Sequence, residues 1–356
     1  MNVKTALVVS LNYNPGHFSH LVANYRLFAD AGMQPYLYLN RAFSGMDRAG
    51  NYRMLFDRKD VKKVGRVDFM IFWFPSLENI LECVRFRLFT QTKITYVYHE
   101  PFDSIRNYRA AGFGVVKILK ICLIFLATLP VLLLSHHVIL PSRTSLELYR
   151  RKNAWLNGSF TFMPLLFDDE STHTISLHGK KNISYIGTIA ADHAFDRYVD
   201  FLEFSVKNEW FPGYSFLIAT ASKIPPRERK ILDLCLPCGR ISISEGRVMD
   251  NQEINAHYRD SLVVWNAYHR SNQSGVLPKA FMFGAAVVAL ARNKSEFVEN
   301  HLTGVLVDDN SDVYQLKSAV EEILDKGEGF SVNCRNKFLD TFYYRNRISQ
   351  FLSFVG

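Results

Sequence analysis

Short apolar runs alternate with helix-forming segments along most of this chain, and this alternation constrains the fold more than any other feature. The run at 68–74 is almost continuously apolar, which is typical of a parallel strand covered by helices on both faces. Segments with helical periodicity follow such runs, and one of them is closed by Gly32. The pattern predicts an α/β protein built from parallel strand–helix units.

The alternation starts twice. A polar stretch at 168–181 is predicted to be a linker, and a second series of strands begins at Ile183. We expect two Rossmann-like domains, 1–165 and 166–333, with a C-terminal helix at 334–356 packing back on the first. Because parallel sheets bind ligands at the carboxyl ends of their strands, we expect the two sheets to face an interdomain cleft that holds the site. The predicted strands are 6–11, 34–39, 68–74, 93–98, 137–140, 183–186, 214–219, 240–243, 262–265, 286–290 and 305–307.

Positive charge is concentrated in the first domain. Up to Leu165 there are 21 basic and 10 acidic residues, whereas 21 basic and 24 acidic residues follow. A basic surface attracts anionic lipid, nucleic acid or a phosphorylated substrate, and the sign of the charge does not choose among them. The basic residues are not interleaved with aromatic residues as in a nucleic-acid reader module, so no nucleic-acid partner is expected.

An apolar segment at 115–134 lies within this basic domain. Its uncharged part, 121–134, has 14 residues, fewer than the roughly 20 that cross a bilayer. We expect it to lie in the membrane interface, with lysines meeting lipid phosphates and apolar side chains entering the acyl region. A core helix is the alternative. The residues predicted to face the membrane are Lys117, Lys120, Ile121, Phe125 and Leu129.

The expected location is the cytoplasm, with peripheral binding to the inner face of the cell membrane. The chain opens with Met1-Asn-Val-Lys directly onto a strand-like run, which does not indicate a signal peptide. Its five cysteines are scattered, and Cys235-Leu-Pro-Cys238 has no second pair to complete a zinc site. Free thiols in a reducing compartment are therefore expected.

The motif with the clearest chemistry is Ser274-Gly275, a small-residue turn that follows a strand and opens a helix. Backbone N–H groups at such a helix start point outward and bind anions or sugar hydroxyls. Gly284 closes the helix, and residues 286–290 return as a strand. The first loop, 12–17, has Gly16 but no Gly-x-Gly-x-x-Gly, which disfavours a dinucleotide dehydrogenase.

With these residues the sequence resembles the retaining glycosyltransferases of GT-B fold, a group that includes bacterial polysaccharide and lipid-linked oligosaccharide hexosyltransferases. The resemblance implies a nucleotide-sugar donor, a lipid-linked or polysaccharide acceptor, a role in bacterial surface glycan synthesis and no metal or other cofactor. The stronger motifs are Ser274-Gly275, Gly284, Val287-Val288-Ala289, Glu296 and Leu302-Thr-Gly304-Val-Leu-Val307. Weaker ones are Gly16, Tyr98-His99-Glu100, Pro141-Ser142, Met163-Pro164 and Tyr185-Ile-Gly187.

The resemblance implies a role for individual residues. Ser274 and Gly275 would present N–H groups to the donor, and Gly187 would let its diphosphate approach the second sheet. Arg247 and Val248 would hold the base through main-chain contacts, and Gly16 is a further candidate for phosphate approach. His99 would position the transferred sugar rather than act as a base, because the leaving phosphate takes the proton in the retaining reaction.

The sequence also departs from the group. Two glutamates usually stand eight positions apart around the turn, where this chain has Ser271 and Lys279. The usual Arg and Lys after the first strand of the second domain are missing, since Gly187 is followed by TIAADHAFD. A departing diphosphate needs positive charge, so we hypothesise that Arg270 and Lys279 supply it. No Asp-x-Asp motif occurs, so no metal is expected.

Two other functions remain open at this point. A nucleotide-sugar epimerase of the same fold would act on a soluble substrate and leave 121–134 as core. A catalytically inactive GT-B partner that binds sugar or lipid is compatible with the missing glutamate pair.

Overall fold

The computed structural model describes residues 3–46, 50–73, 76–110, 112–171, 179–190, 192–269, 275–291 and 296–355. It divides into two compact units, one of residues 1–168 and 341–356 and one of residues 169–340. The predicted boundary at 165/166 lies three residues before this division. The predicted start of the C-terminal segment at 334 falls inside a continuous helix, Gly327–Thr341, so the sequence placed that boundary too early.

The first unit contains a sheet of seven parallel strands in the order β3-β2-β1-β4-β5-β6-β7. Every residue of the central β1 is buried, because helices cover both faces of the sheet. The strands are β1 (Thr5–Ser10), β2 (Gln34–Leu39), β3 (Met54–Leu55), β4 (Phe69–Trp73), β5 (Lys93–Val97), β6 (His137–Leu140) and β7 (Phe160–Phe162). The helices are α1 (Phe18–Asp30), α2 (Arg58–Val64), α3 (Leu77–Phe89), α4 (Ile105–Ala110), α5 (Val115–Leu134) and α6 (Arg143–Lys152), joined by the C-terminal α13 (Ile348–Val355).

The second unit contains a sheet of six parallel strands in the order β10-β9-β8-β11-β12-β13. The strands are β8 (Asn182–Ile186), β9 (Ser215–Ala219), β10 (Ile241–Ser244), β11 (Ser261–Asn266), β12 (Ala286–Leu290) and β13 (Gly304–Val307). The helices are α7 (Phe195–Lys207), α8 (Pro226–Cys235), α9 (Asn251–Asp260), α10 (Val276–Met282), α11 (Val313–Asp325) and α12 (Gly327–Thr341). The predicted α/β class with two parallel sheets is confirmed.

Both sheets reverse their strand order once. In the first, the chain runs outward from β1 to β2 and β3 and then returns to the other side of β1 with β4. In the second, it runs from β8 to β9 and β10 and returns beside β8 with β11. Ligands of open α/β sheets bind outside the carboxyl ends of the strands at such a switch point. A binding site is therefore expected at the residues after β1 and β4 and at those after β8 and β11.

Local sequence fixes the helix that follows β11. Helix α10 stops at Met282, and Gly284 has φ 65, the left-handed conformation that a glycine adopts without strain. The N–H of Ala285 bonds the carbonyl of Ala280 at 2.8 Å, which satisfies an otherwise free carbonyl of the last turn. Helix α10 thus ends just before Gly284, as predicted. Gly304, further along the same motif, has no room for a side chain, because a methyl group there would lie 2.4 Å from the carbonyl oxygen of Val287.

Candidate functional site

The switch point of the second sheet is lined by Gly187, which directly follows β8. Its φ of 139 lies in a region that L side chains rarely adopt. A methyl group there would lie 3.4 Å from Cγ2 of Val276 and 3.6 Å from the hydroxyl of Tyr268. Its N–H bonds the carbonyl of Ala219 at 3.0 Å, within the sheet. Because Gly187 has no side chain, Tyr268 and Val276 can approach it closely. Its N–H is occupied by the bond to Ala219 and is not available to a ligand.

A stacked pair of rings stands beside Gly187. The imidazole of His193 lies 4.3 Å from the ring of Tyr268, centre to centre, and the planes are 10° apart. Nδ1 of His193 donates to the carbonyl of Thr188 at 2.6 Å, since a carbonyl can only accept. The proton on Nδ1 is therefore fixed, and Nε2 is the ring nitrogen that remains for a ligand. Ala194, the next residue, has φ 50, so the loop from Gly187 has a left-handed residue at each end.

The predicted donor turn is partly described. Gly275 caps α10 with φ −65, and its carbonyl accepts the N–H of Lys279 at 3.4 Å. Ser274 and Arg270 lie outside the described residues. The switch point of the sheet thus contains Gly187, Tyr268 and Val276, the residue that follows Gly275.

Lys279 differs from its predicted role. Its side chain is buried in α10, and Nζ donates to Glu170 at 2.6 Å, Asn255 at 2.9 Å and Asn251 at 3.3 Å. Both asparagines also donate through Nδ2 to the same oxygen of Glu170. An ammonium has three N–H donors, and these three acceptors use all of them. The structure therefore assigns Lys279 to a buried network that joins α9, α10 and residue 170, in place of the predicted contact with a diphosphate.

Arg247 and Val248 lie in the loop after β10 and are exposed. Arg247 forms a two-bond ion pair with Glu253, at 2.8 and 2.6 Å, and this pair lowers the pKa of Glu253 to about 2. Arg247 also lines a depression of about 470 Å³ at the carboxyl end of β10. The other lining residues are Arg229, Leu236, Ile243, Ser244 and Glu245. An open depression of this volume is large enough for a nucleotide base.

Aromatic and imidazole rings surround the switch point of the first sheet. His20 stacks on Trp73 at the end of β4, with ring centres 5.3 Å apart, and its Nδ1 donates to the carbonyl of Leu166 at 3.1 Å. His17 follows β1, and its ring lies 6.5 Å from those of both Trp73 and His20. Burial, followed by the charges of His20 and His99, lowers the pKa of His17 to about 3. The ring is therefore uncharged at neutral pH.

Gly16 sits in the same loop, and its N–H donates to Oδ1 of Asn14 at 3.1 Å. That bond orients the amide so that Nδ2 of Asn14 donates to Nε2 of His17, also at 3.1 Å. Gly16 thus orders the histidine loop through this N–H, and its approach to a phosphate stays a prediction. His99 follows β5 at the same edge, and burial lowers its pKa, although Glu100 acts in the opposite direction.

Helix α5 is the one described helix long and apolar enough to cross a membrane, by length and composition alone. Lys117 and Lys120 are exposed, as predicted. The predicted membrane-facing residues Ile121, Phe125 and Leu129 instead turn inward: Phe125 stacks on Phe102 with ring centres 4.6 Å apart, and the other two pack on buried clusters. The apolar side chains that α5 exposes are Val115, Val116, Leu119, Leu123, Ile124, Leu126 and Leu133.

This exposed face continues on neighbouring segments. Helix α3 packs against α5 and exposes Leu77, Leu81, Leu88 and Phe89. At the other end of α5, the amide of Asn157 donates to the carbonyl of Leu132 at 3.0 Å, and nearby Trp155 is 78% exposed. We call the exposed residues of α3 and α5, together with Trp155, the apolar face. The cationic residues nearest to it in sequence are Arg85, Arg87, Lys93, Arg109, Lys117, Lys120, Arg151 and Lys152.

Within the described ranges, no three His, Cys, Asp or Glu side chains are grouped so that they could hold a metal ion.

Two features of the site were not predicted from the sequence. No motif in the sequence gives His193 a role, because its stack on Tyr268 depends on a contact between residues 75 positions apart. Of the histidines at the first edge, the sequence indicated only His99. His17 and His20 belong to a loop and a helix start without a recognised motif.

The sequence matches no protein-family model and no curated protein. Solved structures match along almost the whole chain. A glycosyltransferase from Rickettsia africae is similar with a TM-score of 0.71 and 12% identity, covering 100% of this chain and 98% of its own. Sucrose-phosphate synthase from Thermosynechococcus elongatus has a TM-score of 0.69 and 13% identity, covering 99% and 98%. Anabaena HepE in complex with UDP-glucose has a TM-score of 0.68 and 14% identity, covering 98% and 99%. The chain therefore has the GT-B fold.

Proposed function

We propose that this protein is a retaining glycosyltransferase that moves a sugar from a nucleotide-sugar donor to a lipid-linked or polysaccharide acceptor in bacterial surface glycan synthesis. The observation that carries the proposal is the whole-chain likeness to glycosyltransferases, one of them solved with UDP-glucose. The glycine-lined switch point of the second sheet supports it, because backbone without side chains admits a phosphate group closely.

The donor is proposed to bind along the carboxyl edge of the second sheet. The base would lie in the depression beside Arg247, with Val248 alongside, and the diphosphate would lie near Gly187, Gly275 and Ser274. Arg270 is the cation we propose for the departing diphosphate. This arrangement needs no metal, since protein groups would meet the developing charge.

The acceptor is proposed to bind at the carboxyl edge of the first sheet. Its hydroxyl would attack the anomeric carbon on the face from which the phosphate leaves. The new C–O bond would form as the old one breaks, and the hydroxyl proton would pass to a phosphate oxygen. His99 would position the sugar, and the ring of His17, which is uncharged at neutral pH, would border the hydroxyls without adding charge.

A donor screen tests this proposal. Thermal unfolding and calorimetry with UDP-glucose, UDP-N-acetylglucosamine and GDP-mannose should show one donor raising the unfolding temperature, because a ligand that binds only the folded state stabilises it. Transfer to an isoprenoid-linked acceptor should then give a product with the donor's anomeric configuration, measured by proton NMR. Inversion would contradict the retaining mechanism, and absence of binding to every donor would contradict the donor assignment.

We further propose that the protein is cytoplasmic and binds peripherally to the inner face of the membrane through the apolar face. Leu119, Leu123 and Leu126 are each about 60% exposed, and only 22% of the most apolar part of α5 is buried. Soluble proteins rarely expose a continuous apolar area of this kind. Cationic residues near its ends match an anionic lipid surface, and tryptophan is enriched at membrane interfaces.

The packing of α5 favours binding in the plane of the membrane over crossing it. Ile118 near the start of the helix, Thr128 in the middle and Val131 and Leu132 near the end are buried in the first unit. The inner side of the helix is thus covered by protein along its length, and only the outer side is available to lipid.

Vesicle binding tests the membrane proposal. Leu119→Glu with Leu126→Glu should reduce co-sedimentation with phosphatidylglycerol vesicles at least tenfold, because two carboxylates would have to enter the apolar region. Leu234→Glu, at a leucine that is 73% exposed in the second unit, is the matched control and should bind like the wild type. Extraction at pH 11 should release the protein from membranes. Retention there would indicate a spanning helix, and equal binding by all variants would contradict the proposed face.

The second candidate function is an inactive GT-B partner, and one observation favours it: Lys279 stands where the group has its second glutamate. Slow hydrolysis of the bound nucleotide sugar in the absence of acceptor would exclude it. An epimerase would instead convert the free nucleotide sugar and would not need the membrane.

A further inference from the structure

Within the proposed donor site, we propose that His193 contacts the diphosphate directly, with Tyr268 holding its ring and Gly187 leaving the space. This inference rests on the proposed function, because it names a residue of the donor site. It would fill a role for which the nine residues after Gly187, TIAADHAFD, offer no Arg or Lys, and Arg197 is the first such residue after them.

His193 lies beside the switch point of the second sheet. Gly187 follows β8 and Tyr268 follows β11, so the pair straddles the switch point of the second sheet. The hydroxyl of Tyr268 is the polar group nearest to the missing side chain of Gly187, at 3.6 Å from a methyl placed there. The His193 ring lies flat on the Tyr268 ring at 4.3 Å, so it borders the same space.

The two ring nitrogens of His193 have different hydrogen-bonding environments. Nδ1 donates to the carbonyl of Thr188, and this bond holds whether or not the ring is charged. None of the described residues forms a hydrogen bond with Nε2 of His193. When Nε2 also carries a proton, it can donate a charge-assisted hydrogen bond to a phosphate oxygen.

Two other basic side chains near this edge contact protein groups. Nη2 of Arg197 donates to the carbonyls of Asp308 and Ser311 at 3.2 and 2.7 Å, whereas its buried Nη1 has no hydrogen-bond partner among the described residues. His269 faces the carboxylate of Asp309 at 3.8 Å. His193 differs from both because its ring stacks on Tyr268, whose hydroxyl lies next to Gly187.

Binding of UDP and of uridine to the full-length protein, measured by calorimetry, separates the diphosphate from the base. His193→Asn keeps a donor near Nδ1 and removes Nε2. It should weaken UDP binding about tenfold to a hundredfold and leave uridine binding unchanged. His193→Gln, whose amide reaches towards the Nε2 position, should recover part of the loss. His301→Asn is the control, because His301 is exposed before β13, at the opposite edge of the sheet.

Three results would overturn the inference. Equal weakening of UDP and uridine by His193→Asn would show a general effect on the site, and no weakening would show that Nε2 makes no contact. A third result, equal binding of UDP and uridine by the wild type, would contradict the diphosphate site and the proposed function with it. In the first two results the wild type still prefers UDP, so the proposed function stands. Circular dichroism of both His193 variants checks that they fold. If His193→Asn does not fold, the binding measurements are made with His193→Gln.

Discussion

The carboxyl edges of the two sheets share a topology and differ in chemistry. At the first edge, His17, His20 and Trp73 form a ring cluster in which burial and neighbouring imidazoles keep His17 uncharged. At the second edge, Gly187 has no side chain and Nε2 of His193 forms no hydrogen bond with a described residue. Under the proposed function, the first edge would take a neutral, hydroxyl-bearing molecule and the second an anion. Two edges of the same topology can differ in this way because the loop residues after the strands set their charge and hydrogen-bonding groups.

The largest expected effect concerns Lys279, whose contacts belong to the framework of the second unit. Lys279→Met should lower the free energy of unfolding by about 3 kcal/mol, because the partly buried carboxylate of Glu170, 16% exposed, loses its cationic partner. Urea unfolding measures this. The double variant with Glu170→Gln should recover most of the loss, since no buried charge remains. A stable Lys279→Met protein with greatly reduced turnover would instead restore the catalytic role predicted from the sequence.

A matched pair of glycine substitutions tests the two edges directly. Gly187→Ala should lower the free energy of unfolding by about 1–3 kcal/mol and also weaken donor binding, because φ 139 strains any L side chain. Gly16→Ala at the first edge should change stability by less than about 0.5 kcal/mol, since its methyl group would meet only Oδ1 of Asn14, at 3.4 Å. Equal effects in urea unfolding would contradict the difference drawn between the two loops.

The ring cluster predicts acid sensitivity of the first unit. The unfolded chain binds a proton at His17 near its ordinary pKa of 6.5, whereas the folded pKa is about 3. Between these values the unfolded state holds more protons, so the free energy of unfolding falls as the pH falls from 6.5 towards 3. His17→Asn should make this dependence shallower in urea unfolding at pH 7 and pH 4.5. An unchanged slope in His17→Asn would contradict this assignment.

In the second unit, the free energy of unfolding should depend on pH on the alkaline side, and less strongly. Lys180 is buried, and its ammonium donates to the carbonyls of Ser261 and Phe283. Burial lowers its pKa from 10.5 to about 8, so the unfolded state holds more protons between these values. The free energy of unfolding should therefore rise with pH across this window. Lys180→Met should remove the rise, and Lys181→Met, at its exposed neighbour, should retain it.

Much of the fold could be predicted from the sequence. The strands β2, β6 and β12 have the predicted limits, because continuous apolar runs bounded by polar residues or glycine define a buried parallel strand locally. The edge strands β3 and β7 were missed, since two and three residues are too few for any periodicity. Helix α5 was recognised as an apolar segment, but its exposed side was assigned to the wrong residues. A helix that is apolar on all sides carries no polar face to indicate its orientation.

What the sequence determined by itself was the order of strands and helices, the division into two parallel sheets, and the glycines at 187, 275 and 284 that shape the second edge. These depend on residues close together in the chain, where periodicity and backbone preference act. The tertiary structure decided which polar groups are available. It placed Glu170 on Lys279, Tyr268 against His193 and Phe102 against Phe125, contacts between residues 23 to 109 positions apart. Charge and hydrogen-bonding capacity depend on such neighbours, so the chemistry of both edges was set by packing.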